Sequence, residues 1–192
     1  MFQMSWDYSL LSTSPRIIWG VLGTVFFLAA LTDYKKGKIY NLLTGPVLLF
    51  SVLVVAVASF GVFRVPVWWL PLASAILAFF LSALLLFSLF ALRVLAGGDV
   101  KLLVAVSPVF GAKAFLNFFF WSLAIAAIGS FALMLTNRRL IPFFKEIVSF
   151  FKSMLVPNSK VEWPKLRSDI KAPFGVAIFV GYIVHTFSEG IF

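Results

Sequence analysis

The chain has 192 residues, 62% hydrophobic and 12% charged, against about a quarter charged in an ordinary soluble domain. Its mean hydropathy is +1.06, and several apolar runs reach or approach the roughly 20 residues that span a bilayer as a helix, so the composition excludes a soluble domain and predicts an all-α polytopic integral membrane protein. The formal charge of +9 would suggest nucleic acid in a soluble protein, but here the basic residues fall mainly in loops, where topology explains them; no nucleic-acid partner is expected, and a chain without cysteine has no disulfide, thiolate metal site or Cys nucleophile.

The segment 1–15 carries Asp7 and no basic run, so it does not resemble a cleaved signal peptide, and a retained first span is expected over 17–32. That span stops at Asp33-Tyr34-Lys35-Lys36-Gly37-Lys38. A second span is predicted over 42–63, broken near Gly61, Arg64 and Pro66. The third, 67–95, is longer than one crossing needs and should tilt or protrude. Then comes Ala96-Gly97-Gly98-Asp99-Val100-Lys101, where two glycines are expected to bend the chain and allow a close approach. A short fourth span over 100–111 contains Pro108 and turns at Gly111; a fifth covers 114–135 and a sixth 173–190. The connecting loop, 137–171, includes Phe144, Ile147, Val148, Phe151, Met154 and Leu155 at helical spacing. That stretch is read as a helix lying flat on the membrane surface rather than a seventh span. With no repeat or separate soluble segment, one membrane domain over 1–192 is expected.

Loop charge sets the predicted orientation. Lys35, Lys36 and Lys38, then Arg93 and Lys101, then most of the basic residues of 137–171 fall on one side of alternating spans, and only Arg16, Arg64 and Lys113 on the other. The rich side is taken as cytoplasmic, with both termini outside. Asp33 and Asp99 then lie on the same face at similar depth.

Each carboxylate alone has an ordinary reading: Asp99 as an N-cap of the fourth span, Asp33 as interfacial charge. As a pair they suit hydrolysis of a peptide bond, one ionised member taking a proton from water and the other, protonated, donating to the carbonyl oxygen. Such chemistry needs no metal or cofactor. Asp99 at a helix N-terminus is favoured as the anion and Asp33 at a C-terminus as the proton carrier, with Lys35, Lys36 and Lys38 opposing that assignment. His185, deep in the last span, is expected to pack rather than react.

Three stretches resemble the type IV prepilin peptidases, including the small forms that act on tight-adherence pilins and on archaeal preflagellins. Asp33 followed by Ile39-Tyr40-Asn41 is similar to that family's first-aspartate motif, Asp, five residues, then Ile-Pro-Asn. Ala96-Gly97-Gly98-Asp99-Val100-Lys101 is similar to its Gly-x-Gly-Asp-x-Lys motif, and Pro173-Phe174-Gly175-Val176-Ala177 to its Pro-Tyr-Gly-Pro-Ala. The resemblance implies a membrane aspartic endopeptidase that cuts the basic leader of a prepilin-like protein on the cytoplasmic side of the cell membrane, typically just after a glycine. It implies Asp33 and Asp99 as the catalytic pair, Gly97 and Gly98 as loop residues, and Lys101 and Asn41 in support. Tyr40 stands in place of the family's proline, and Ala96 in place of its first glycine, a change that matters if the position needs positive φ. The cysteine pairs of the larger methylating members are absent, so N-methylation is not expected. A six-span transporter using the two acids as proton or cation sites, and an inactive relative serving pilus assembly, are the alternatives.

The run from Lys101 to Gly111 supplies about 16 Å of helix, roughly half of a hydrocarbon core of about 30 Å. Irregular backbone at depth must line water or be buried in protein. A recessed, water-filled pocket walled by both aspartates is therefore expected.

Overall fold

In a computed structural model the described residues are 16–60, 70–92, 94–136, 141–142, 145, 148–149 and 174–189. They form α1 (Arg16–Lys36), α2 (Asn41–Ser59), α3 (Leu70–Ala91), α4 (Gly97–Phe110), α5 (Ala112–Thr136) and α6 (Phe174–Ser188). Among the described residues there is no strand, so the all-α polytopic expectation is met. Four helices (α1, α2, α3 and α5) are long and apolar enough to cross a membrane. The chain divides into two compact units, residues 1–125 with 173–192, and residues 126–172. In the second, α5 continues to Thr136 and short helical pieces follow at 141–142 and 148–149; most of the expected surface helix lies outside the described residues. All packing below concerns the first unit.

Helix ends differ from expectation in three instructive places. α1 does not stop at Asp33 but runs one turn further, to Lys36. Gly37, at φ 61°, then donates its N–H to the Asp33 carbonyl at 2.7 Å, closing the helix with a left-handed cap that a side chain would strain. Secondly, α4 begins at Gly97, so Ala96 is the N-cap and Asp99 is the third helical residue rather than the cap itself. Thirdly, Gly97 and Gly98 are not among the positive-φ glycines, which among the described residues are Gly37 and Gly111. They form the first turn of α4 and do not bend the chain away from it. The turn at Gly111 is as expected, at φ 74°, and leads directly into α5.

α4 is the central element. Beyond its exposed Lys101 it is buried nearly all round, from Asp99 to Phe110, as a helix enclosed by others must be. It packs on α2 and α3, while α1 packs on α6. Ser82 of α3 donates to Ser107 of α4 at 2.8 Å in the buried seam, a polar link of the kind that holds helices together in lipid. Trp19, Phe26, Phe110, Phe118 and Tyr182 form one aromatic cluster joining α1, α4, α5 and α6, and the Tyr182 hydroxyl donates to the Trp19 carbonyl. His185 is fully buried with its ring 5.8 Å from that of Phe110 and 6.2 Å from that of Phe118, and neither ring nitrogen has a hydrogen-bond partner among the described residues. That surrounding agrees with a packing role. Small residues allow the closest crossing: a Cβ on Gly181 of α6 would lie 2.8 Å from the Ser122 backbone of α5. Outward-facing apolar side chains such as Leu84, 73% exposed, and Phe120, 64% exposed, suit an acyl-chain surrounding.

Candidate active site

Four helix ends meet at one end of this unit: the C-terminus of α1 and the N-termini of α2, α4 and α6. Each junction is fixed by a specific contact. Asp33, in the last turn of α1, accepts a hydrogen bond from the backbone N–H of Gly175 in the first turn of α6, at 2.7 Å. Lys101 of α4 donates to the Asn41 side chain at the start of α2, at 3.1 Å. Gly98 of α4 sits against the Ile39 backbone just before α2; a Cβ there would lie 3.1 Å from the Ile39 Cβ and 3.2 Å from its carbonyl oxygen. A Cβ on Gly97 would meet only the Phe90 ring edge, at 3.5 Å, an ordinary contact. Of the two glycines, Gly98 is the one the packing demands.

These contacts bring the two acids together. Asp99 is buried, only 5% exposed, and Asp33, half-buried, lies close enough to act on it electrostatically. The Ala96 backbone N–H also acts on the Asp99 carboxylate, one half of a capping box in which an acid at the third helical position reaches back to the N-cap. All six residues singled out in the sequence (Asp33, Asn41, Gly97, Gly98, Asp99 and Lys101) therefore belong to one cluster of helix ends.

The two departures from the family motif are both accommodated. Ala96 has φ −79° and ψ 149°, extended backbone open to any residue, so the missing glycine leaves no strain. Tyr40 has φ −80° and ψ 141°, within the range a proline ring imposes. The Lys36 ammonium stands 5.3 Å from the Tyr40 ring centroid, a cation–π contact that proline could not make.

Sequence reasoning missed Gly175. Its backbone amide is a partner of Asp33, and a Cβ at this position would stand 2.8 Å from the Asp33 Cβ and 3.0 Å from its Oδ2. The signal was present, since Pro173-Phe174-Gly175 was one of the three stretches noted, but it marked a likeness and not a contact.

Two acids held at converging helix ends in an all-helical membrane protein are the chemical feature of this cluster. The type IV leader peptidase family model matches residues 20–131, more than half the chain, and the chain belongs to that family. It is a leader peptidase-like protease with multiple membrane helices. The match includes Asp33 and Asp99 and ends before α6. Comparison with curated proteins and with solved structures gave no significant match.

Proposed function

We propose that this chain is an aspartic endopeptidase that removes the basic leader of type IV prepilin-like, tight-adherence pilin or preflagellin-like proteins at the cytoplasmic face of the cell membrane. The observation that carries the reading is the juxtaposition of Asp33 and Asp99, from helices far apart in sequence, inside the region matched by the family. Asp33 and Asp99 are the catalytic residues. One carboxylate takes a proton from a water molecule as the water oxygen bonds to the scissile carbonyl carbon; the other, protonated, gives its proton to the carbonyl oxygen. The resulting diol collapses with cleavage of the C–N bond. The amine leaves with the proton taken from water, a diol hydroxyl returns a proton to the second carboxylate, and the pair ends as it began.

Gly98 and Gly97 set the path of the chain at Asp99, and Lys101 with Asn41 ties α4 to α2 beside it. The basic stretches around 35–38, 93–101 and 137–171 face the cytosol and both termini are outside. α4 spans about 21 Å at 1.5 Å per residue, short of a hydrocarbon core of about 30 Å, which supports a recessed site reached by water from the cytosol. Co-expression with a prepilin-like substrate tests the activity, read as the mobility shift of the processed pilin. Asp33→Asn and Asp99→Asn should each abolish processing while the protein still accumulates in the membrane. Processing that survives either change overturns the reading, and it separates a protease from an inactive assembly factor, whose wild type would not process at all.

A further inference from the structure

We infer that the N-terminus of α6 is a positioning element of the catalytic pair, with the Gly175 amide holding Asp33 as the ionised, water-activating carboxylate and leaving the proton on Asp99. The inference rests on the two-aspartate reading above and deepens it.

Asp33 receives a hydrogen bond at 2.7 Å from a backbone N–H that has no intrahelical partner, because it lies in the first turn of α6, and such a bond is strongest when the acceptor is charged. The amide dipoles of the whole 15-residue helix point their positive end at the same carboxylate. Asp99 has one amide, that of Ala96, and is the more deeply buried of the two. Burial penalises a charge, and two adjacent carboxylates share a proton rather than both ionise. The proton therefore belongs on Asp99. Weighing only the helices that carry the two acids gives the opposite assignment; the third helix offsets the unfavourable end of α1 at Asp33, and the deeper burial of Asp99 then decides.

The side chain of residue 175 matters as much as its amide. With a Cβ required to sit 2.8 Å from that of Asp33, any residue larger than glycine forces α1 and α6 apart or turns the carboxylate off the amide. Displacements near 1 Å at a reacting group cost on the order of 100-fold in rate.

Two measurements test this in full-length protein in detergent micelles. In processing kinetics, Gly175→Ala should lower kcat on the order of 100-fold with KM little changed. An unchanged kcat in folded protein overturns the inference, as does an effect confined to KM, which would place α6 against the substrate instead. The second measurement needs no substitution at Gly175. In a spectrum of protein labelled with nitrogen-15 at glycine only, the Gly175 amide proton should lie far downfield because its acceptor is charged. Its signal should move upfield in Asp33→Asn and stay downfield in Asp99→Asn. A glycine spectrum indifferent to Asp33→Asn overturns the inference. Loss of processing in both Asn variants combined with an unaffected Gly175→Ala would leave the protease intact and remove only the role of α6.

Discussion

At the scale of single residues, the two acids stood out only as a pair, because each alone has an ordinary explanation and both were expected on one face. What could not be read was the local backbone. A Gly-Gly pair announces either an unusual φ or a close approach, and the letters do not distinguish them; here the cause is Ile39 pressing on Gly98, with helical backbone throughout. This separates two substitutions that look alike. Gly98→Ala should reduce processing on the order of tenfold or more by displacing the segment before α2, in the manner of a small misplacement at an active site, whereas Gly97→Ala should be nearly neutral, both measured as initial rates on the same substrate. Ala96 and Tyr40 form a second contrast. At φ −79° Ala96 has no need of glycine, and at φ −80° Tyr40 already has the φ of proline. Ala96→Gly should give no gain in rate, and Tyr40→Pro should retain processing with a thermal midpoint within a few degrees of wild type, the lost cation–π contact and the reduced freedom of the unfolded chain offsetting one another at about 0.5–1 kcal/mol each.

At the scale of elements, the sequence predicted the existence of the helices better than their ends. Hydrophobic runs report how far the lipid-facing surface extends, and a helix may continue past it wherever polar residues tolerate helical backbone. Tyr34-Lys35-Lys36 carry α1 one turn beyond its apolar part, with the two lysines in the last turn where the helix dipole favours cations. Pairing of helices was invisible in the sequence, since it depends on small residues and buried hydroxyls. Gly181 against Ser122 is the tightest of these crossings, and Gly181→Ala should destabilise the protein by about 1–3 kcal/mol through overpacking, visible as a lower midpoint of thermal unfolding in detergent without direct damage to the acids. The Lys101–Asn41 link is exposed. A double-mutant cycle on Lys101→Met and Asn41→Ala should give a coupling below about 1 kcal/mol, so its contribution is to the register of α4 beside α2 rather than to overall stability.

At the scale of the whole molecule, a chain with no native cysteine is a ready background for mapping sidedness. Single cysteines at positions 38 and 113 should be labelled by membrane-impermeant thiol reagents from opposite sides, position 38 from the cytosol. Cysteine at 33 should react with a small aqueous reagent if the acids line water, and inert cysteines at both 33 and 99 would remove the recessed pocket. The general plan was legible because lipid imposes a strict relation between composition and topology. The candidate site was legible only in part, because the partner of Asp33 is a backbone amide that lies 142 positions further along the chain. That separation has a consequence for biogenesis. During synthesis the membrane receives α1 first and α6 last of the helices described, so through most of translation Asp33 waits without its amide partner. A nascent chain halted after α4 and before Gly175 holds both acids and still lacks the hydrogen bond that Asp33 accepts from α6. On the inference drawn above, the amide that positions Asp33 is therefore the last part of the site to be made.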